Sequence, residues 1–357
     1  MDFNLTEDRR MLADTLNRFL ADNYSAEHRE SVAYTVPYHD PARWSELAEL
    51  GALLALAPED AGGFGGSGFD ISIVFEALGR ANCPEPILPA LLAARLLTKI
   101  GADQEALLSG ATHYAVALGE IEAPYELSHI QTVAAVNGSD YTLSGRKSSV
   151  YGGHIAEVFL VAAKLENKLS LFEVNASDAS VESYGLIDGG GAAELLLDNT
   201  PARLVIEDAA AALQDVMNVG ALAVCAEAIG LMDVIHDMTL EYMKMRNQFD
   251  KPIGSFQALQ HRAVDMLMEI EQARSIVIKA ASELEGESAA RYISMAKNLV
   301  GRTARLNAEE AIQLHGGIAM TWEYPASHYA KRLIMIDHQF GDTDFHLARI
   351  MADLKVA

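Results

Sequence analysis

Thr132-Val133-Ala134-Ala135-Val136-Asn137-Gly138-Ser139-Asp140-Tyr141-Thr142-Leu143 is the stretch on which the reading of the fold turns. Short apolar runs of period two flank Asn137-Gly138, a dipeptide that favours a type I′ turn, so the stretch reads as a β-hairpin. Val158 to Ala162, Leu169 to Val174 and Ala193 to Leu197 add short β segments, with Gly189-Gly190-Gly191 as a turn. Residues 113–206 are therefore expected to form a small all-β domain. Toward the N-terminus the period lengthens. Residues 1–112 read as helical, with apolar side chains three and four apart in Met11-Leu12-Leu16-Phe19-Leu20 and in Trp44-Leu47-Leu50. A glycine-rich loop, Pro58 to Gly66, precedes helical Ile71 to Leu78 and Pro89 to Ile100. Toward the C-terminus, 207–357 hold the long helical runs Asp208 to Met245, Phe256 to Leu284 and Glu287 to Leu314. Helices of that length bury faces against one another as a bundle. The class is α+β, in the order helical domain, β domain, helical bundle.

Composition narrows the function. Half of the 357 residues are apolar, and 50 acidic against 27 basic residues give a formal charge of -23. That charge repels nucleic acid phosphates and anionic membranes alike, so neither is expected as a partner. No apolar run approaches the roughly 20 residues a membrane span needs, and the acidic start Met-Asp-Phe-Asn-Leu-Thr-Glu-Asp is unlike a signal peptide. A cytoplasmic location is expected. Cys83 and Cys225 are the only cysteines; they form no metal-ligand pair and are expected to be buried thiols.

Three segments carry chemistry. Arg246-Asn-Gln-Phe249-Asp-Lys-Pro-Ile-Gly254-Ser-Phe-Gln257-Ala-Leu-Gln260-His261 resembles the RxxFGxxIxxxQ segment of the acyl-CoA dehydrogenases. Gln313-Leu314-His315-Gly316-Gly317-Ile-Ala-Met-Thr-Trp-Glu323-Tyr324-Pro325 is similar to that family's QxxGGxGxxxEYP segment, and Pro58-Glu59-Asp60-Ala61-Gly62-Gly63 to its PExxGG loop. The order of domains matches as well. The resemblance implies an N-terminal helical domain, a middle β domain and a C-terminal four-helix-bundle domain. It also implies FAD as cofactor and α,β-dehydrogenation of an acyl-CoA thioester. Within the family, Phe340-Gly341-Asp342-Thr343-Asp344-Phe345-His346-Leu347-Ala348-Arg349 most resembles the small subunit of heteromeric enzymes of the pimeloyl-CoA dehydrogenase type.

What the resemblance implies for single residues is uneven. Arg246, Phe249, Gln257, Gln313, Leu314, Gly316 and Gly317 match positions that bind FAD across a subunit interface. An arginine suits phosphate through forked hydrogen bonds, and glycines let backbone N–H groups approach a ligand. The positions around the flavin ring depart from the family. Its TEPGAGSD loop aligns with Gly119-Glu120-Ile121-Glu122-Ala123-Pro124-Tyr125-Glu126, and its KxWIT strand with Lys147-Ser148-Ser149-Val150-Tyr151, so Ser149 replaces the ring-covering tryptophan. The catalytic glutamate is missing too. Three registers set Phe340, Gly341 or Asp342 at one family position, and the alternative position falls on Gly220. Asp342 stands either as a substitute base or as the N-cap of the last helix. His261, His315 and His346 read as structural imidazoles, and Asp342-Thr343-Asp344 with His346 matches no metal spacing.

Three readings follow: a subunit completing the FAD site of a homologous partner, a self-sufficient homo-oligomer using Asp342, and a flavin-free acyl-CoA-binding scaffold. The first is favoured by the missing glutamate and tryptophan together with the retained Arg246, Phe249 and Gln313. It implies a heterotetramer in the degradation of fatty acids or dicarboxylates, passing electrons to an electron-transfer flavoprotein.

Overall fold

The computed structural model describes residues 5–138 and 140–356. Ser139 of the expected hairpin turn and residues 1–4 of the acidic start lie outside the described residues. Helices α1 (Glu7–Asn23), α2 (Ala26–Ala33), α3 (Pro41–Glu49), α4 (Gly68–Arg80), α5 (Ile87–Lys99) and α6 (Glu105–Leu108) come first. Strands β1 (Tyr114–Ala117), β2 (Val133–Asn137), β3 (Asp140–Tyr151), β4 (Val158–Leu165), β5 (Lys168–Asn175), β6 (Ser180–Gly185) and β7 (Gly191–Ile206) follow. The chain ends in α7 (Ala210–Met245), the short strands β8 (Asn247–Gln248) and β9 (Lys251–Pro252), α8 (Gln257–Ser282), α9 (Ala289–His315), α10 (Ala326–Asp337) and α11 (Thr343–Val356). It packs as two compact units. One holds the described residues up to Arg29, Ser67–Cys83 and everything from Ala221 onward; the other holds Glu30–Gly66 and Pro84–Gly220.

In the unit that contains the sheet, β4 pairs with β2 and β5, β2 with β3, β3 with β7, and β7 with β5, so five strands close on themselves. Closure is how an all-β unit limits open edges. β1 joins parallel to β4 and β6 antiparallel to β7. Phe159 and Val161, Phe172 and Val174, Leu195 and Leu197 fill the interior with Leu143. β1 and β6 were not expected. Tyr114–Ala117 is buried at three successive positions and shows no alternation, and Ser180–Gly185 is a largely polar, exposed edge strand.

A buried ion pair ties this unit together. Lys147 Nζ, fully buried, donates to Glu120 Oε1 at 2.7 Å and to the Leu118 carbonyl at 3.2 Å. The Glu120 carboxylate also accepts from the Thr132 hydroxyl (2.6 Å), the Thr132 N–H (3.0 Å) and the Gln131 N–H (2.6 Å). Burial opposes the charge on Glu120, but Lys147 and these donors outweigh it and hold the carboxyl below its ordinary range.

The other unit is helical. Ser67 and Asp70 form a capping box at the start of α4, and Arg9 of α1 donates to Asp70 Oδ1 at 2.7 Å and to Ser67 Oγ at 2.8 Å. A Cβ on Gly79 would lie 2.1 Å from the Glu227 carbonyl oxygen, and one on Gly230 2.1 Å from that of Glu76. Glycine alone therefore permits α4 and α7 to approach so closely. Across this contact Arg274 of α8 bridges Glu76 at 2.9 Å and Asp233 at 2.5 Å. Contrary to the sequence reading, α7 is apolar and long enough to cross a membrane, its most apolar 18 residues having mean hydropathy 1.7, yet that stretch is 89% buried within the protein. It is built as a core helix. Cys225 lies in that core with its thiol pushed up to about 12 by burial; Cys83, expected to be buried, is half-buried in the turn after α4.

Replacing Lys147 by methionine leaves Glu120 buried without its counter-charge. Such a loss costs about 3–5 kcal/mol, to be read as a lowered urea midpoint of the β unit. Because the folded carboxyl of Glu120 sits below its ordinary value of 4.5, its stabilisation is present above that pH and is lost as the pH falls through the depressed value. The Lys147→Met protein is expected to lose that part of the acid dependence.

Candidate functional site

The last turn of α7 ends where Arg246 N–H donates to the Tyr242 carbonyl at 2.9 Å. Beyond it the chain doubles back in the β8–β9 hairpin, pairing Asn247 with Pro252 and Gln248 with Lys251. Its two turn residues, Phe249 and Asp250, have φ of 53° and 63°. Left-handed backbone at both positions is what a two-residue hairpin turn demands, and glycine or asparagine normally supplies it. A phenylalanine held there is strained by roughly 1–2 kcal/mol. Its ring projects outward, 84% exposed, against the edge of Phe256.

α9 meets this hairpin end-on. The helix stops at His315, and Gly316 turns away at φ 71°. His315 is buried, bonds the Ala311 carbonyl through Nδ1 at 2.8 Å, and stacks on Tyr242 with ring centroids 4.6 Å apart. Between these elements lies a cavity of about 430 Å³. Arg246, Gln313, Leu314, Gly316 and Gly317 all line it, so residues 67 positions apart in the sequence (313 minus 246) share one wall. Tyr242, Gln248, Ile253 and Ile318 also line it and were not singled out, and so does His315, which was read as a structural imidazole. Tyr242 could have been found from its place one helical turn before Arg246. Phe249 and Gln257 are not part of the lining: the first sits at the hairpin tip and the second opens α8, both exposed.

Among the described residues, neither the Arg246 guanidinium nor the Gln313 amide has a hydrogen-bond partner or counter-ion. A Cβ placed on Gly316 or Gly317 would meet nothing within 4 Å. The wall thus offers one free cation, one free amide and two open stretches of backbone. That set suits a phosphate-bearing ligand.

The segments aligned with the ring-binding loop and strand are engaged elsewhere. Glu120 belongs to the buried pair with Lys147, and the Gly119 carbonyl accepts from Ser148 N–H at 2.9 Å. Ser149 has φ 52° and lies in an irregularity of the β3–β7 register. Glu194 fixes this kink by accepting from Arg146 Nε (2.9 Å), the Ser148 hydroxyl (2.8 Å), Ser149 N–H (3.2 Å) and the Tyr184 hydroxyl (3.1 Å). Tryptophan at 149 would need a left-handed backbone that bulky residues avoid.

The turn between α10 and α11 is equally fixed. The buried Lys297 Nζ donates to the carbonyls of Asp337 (2.9 Å) and Gly341 (2.8 Å). Gly341 has φ 103°, and a Cβ there would lie 2.4 Å from Phe345 Cδ1 and 2.6 Å from His346 Nε2. No side chain fits at 341. Asp342 Oδ1 accepts from Phe345 N–H at 2.8 Å, which caps α11. His346 contacts the Phe340 carbonyl at 3.0 Å, and burial pushes its pKa down to about 3. His261 is exposed on α8. Gly220 is buried within α7. Among the described residues no group of three His, Cys, Asp or Glu could hold a metal.

Comparison with known proteins agrees with this architecture. The acyl-CoA dehydrogenase N-terminal domain model matches residues 6–105 and the C-terminal domain model residues 209–355. The chain belongs to the acyl-CoA dehydrogenase family, whose members are flavin-dependent oxidoreductases. It is 31% identical over 329 residues, 91% of each chain, to the acyl-CoA dehydrogenase IpdE2 of Mycobacterium tuberculosis. Among solved structures it is similar to the ChsE4–ChsE5 complex from Mycobacterium tuberculosis, with TM-score 0.91 and 25% identity over 100% of both chains. It is also similar to PigA with FAD and proline, with TM-score 0.89 and 25% identity over 99% of each chain.

If Asp342 serves as a cap, Asp342→Ala should lower the unfolding free energy by about 1 kcal/mol while Asp342→Asn, which still accepts the Phe345 N–H, stays within a few tenths. Urea unfolding monitored by circular dichroism measures both. Equal losses for the two variants would contradict the capping role.

Proposed function

We propose that this chain is a subunit of an FAD-dependent acyl-CoA dehydrogenase that completes the cofactor site of a homologous partner subunit. In this reading it grips the phosphate-bearing end of FAD, and the partner supplies the catalytic base and the residues around the flavin ring. The turn at 340–342 carries the reading: it offers no glutamate, leaves no room for one at Gly341, and commits the Asp342 carboxylate to a backbone N–H. The alternative position, Gly220, has no side chain to donate.

The cavity beside Arg246 fits the cofactor's diphosphate. The unpaired guanidinium forks onto phosphate oxygens, the open backbone at Gly316 and Gly317 adds N–H donors, and Gln313 adds an amide. Leu314 backs this wall from the buried side, and the Tyr242–His315 stack keeps the end of α9 in place. Phe249 and Gln257, exposed just outside the cavity, extend the same surface toward the rest of the dinucleotide. When bound, FAD supplies a hydride acceptor for the acyl β-carbon while a base removes the α-proton. This chain's own residues bind and orient; the proton goes to a carboxylate of the partner.

The pairing of unlike chains in the ChsE4–ChsE5 complex supports assembly with a homologous subunit, and PigA solved with FAD supports the cofactor. The substrate is an acyl-CoA thioester, the assembly a heterotetramer in the cytoplasm, and the pathway the degradation of fatty acids or dicarboxylates. Electrons leave to an electron-transfer flavoprotein.

Two experiments bear on this. Removing a charge-assisted hydrogen bond typically costs roughly 1.5–3 kcal/mol, so Arg246→Ala should weaken flavin retention by about ten- to a hundredfold in the assembled enzyme, read from released flavin fluorescence. Unchanged retention would remove Arg246 from the site.

General base catalysis contributes about 10² to 10⁴ in rate, so the lone chain should show negligible acyl-CoA-dependent bleaching of flavin absorbance. Co-expression with the homologous partner should give a yellow complex that bleaches. A lone chain that bleaches as fast as the pair would overturn the partner-subunit reading.

A further inference from the structure

A second cluster of ionisable groups, in the unit that contains the sheet, has no part in cofactor binding. His39 follows Pro37-Tyr38 in the segment between α2 and α3; His113 lies just before β1; His154 sits in the turn after β3. The ring of His39 stands edge-on to both others, 5.8 Å from His113 and 6.3 Å from His154. His39 is 6% exposed, and its Nδ1 lies 3.2 Å from the Pro37 carbonyl. His113 tilts against Trp44 at 4.8 Å. His154 lies flat on Gly191, where a Cβ would come within 2.6 Å of three ring atoms, with the Tyr38 ring 5.8 Å away. Both ring nitrogens of His154 are shut off from solvent, with the backbone carbonyls of Pro37 and Gly191 beside them.

We propose that His39, His113 and His154 form an acid-sensitive latch, which holds the Pro37–His39 segment against the β unit while the imidazoles are neutral and releases it when they protonate. The argument is one of room and charge. A neutral imidazole packs as an aromatic ring, whereas an imidazolium needs two free acceptors or water; His154 faces only carbonyls that already have partners, that of Pro37, which His39 Nδ1 approaches at 3.2 Å, and that of Gly191, which accepts from Gly152 N–H at 3.2 Å. Protonating a second ring adds repulsion at about 6 Å in a partly dry interior.

Three of the surrounding acids accept backbone N–H groups. Asp40 caps α3 by accepting from Ala42 and Arg43 N–H at 2.9 and 3.3 Å. Glu85, before α5, accepts from Asp40 N–H at 3.0 Å, and Glu157, before β4, from His113 N–H at 3.2 Å. Asp188 is buried in the turn preceding β7. On α3, Arg43 pairs with Glu46 at 2.5 Å and adds no negative charge to the cluster. Tyr38 brings only a phenol.

The titration runs in the matching direction. Burial lowers all three pKa values, that of His154 to about 4, and the neighbouring His39 lowers those of His113 and His154 further. Folded values below the ordinary 6.5 mean that the latch contributes its full stability above pH 6.5 and loses it as the pH falls toward 4.

Hydrogen exchange of the full chain, converted to protection factors between pH 7.5 and 4.5, tests this. Amides of residues 33–44 and 150–156 should lose protection at least tenfold over that range and regain it on return to pH 7.5, while amides of α9 change less than threefold. In His154→Phe, which keeps a ring and cannot protonate, the loss at 33–44 should shrink to under threefold. Should that variant misfold, imidazole C–H titrations of the unaltered chain by NMR decide instead, with midpoints below 5.5 for at least two of the three rings expected. Loss of protection in all segments together, an undiminished acid response in His154→Phe, or ring midpoints near 6.5 would overturn the proposal.

Discussion

A single buried ammonium decides what the C-terminal turn can do. Lys297 Nζ, with no access to solvent, spends its charge on the carbonyls of Asp337 and Gly341. Burying an ammonium is costly unless its donors are satisfied, so the turn cannot drift away without exposing that cost. The path it imposes runs through left-handed backbone at Phe340 and Gly341. That geometry excludes a side chain at 341 and hands the next carboxylate to the first turn of α11. The helices on either side of the turn are thus joined by a connection whose Asp342 carboxylate caps α11.

The β unit repeats the pattern with different residues. Lys147 is the part of the ring-side strand that this chain shares with the family motif, and it is the part buried against Glu120. Positions 148 and 149, where the family's ring contact would fall, bond to Glu194 instead. Loss of a buried charge pair would cost the fold several kcal/mol, whereas an exposed tryptophan can be replaced at little cost to stability.

Much of this was legible because long amphipathic helices announce themselves: the sequence bounds of α8 and α9 fall within two residues of those observed, 256–284 against Gln257–Ser282 and 287–314 against Ala289–His315. The gathering of Arg246 with Gln313 and Gly316 into one cavity was legible only through the motif resemblance, since no local pattern joins the end of α7 to the end of α9. Glu194 left no trace in the sequence. Its partners come from β3 and β6, and an acidic residue in an otherwise apolar strand segment looks like a solvated face. The register at 340–342 was equally closed to counting, because three alignments differ by one residue each and only φ and the room around each Cα separate them. Hydropathy misled in α7, where Glu227 interrupts the apolar run; Arg332 neutralises it with two bonds of 2.6 and 2.7 Å, so the helix stays buried past the charge.

The cavity wall beside Arg246 has a physical logic of its own. In a chain of net charge -23, an arginine that finds no acid among the described residues is unusual, because acceptors outnumber donors nearly two to one. Its isolation follows from where it stands. Arg246 is the first residue beyond α7, and the hairpin that follows is tight enough to force Phe249 and Asp250 into left-handed backbone. Strain of this kind persists only where the surrounding structure imposes it. Here the Ile253 N–H bond to the Arg246 carbonyl at 2.8 Å and the Gln260 amide bond to the Gly254 carbonyl at 2.7 Å close the loop from both ends. The hairpin therefore keeps the Arg246 guanidinium unpaired among the described residues, at the rim of an open backbone surface.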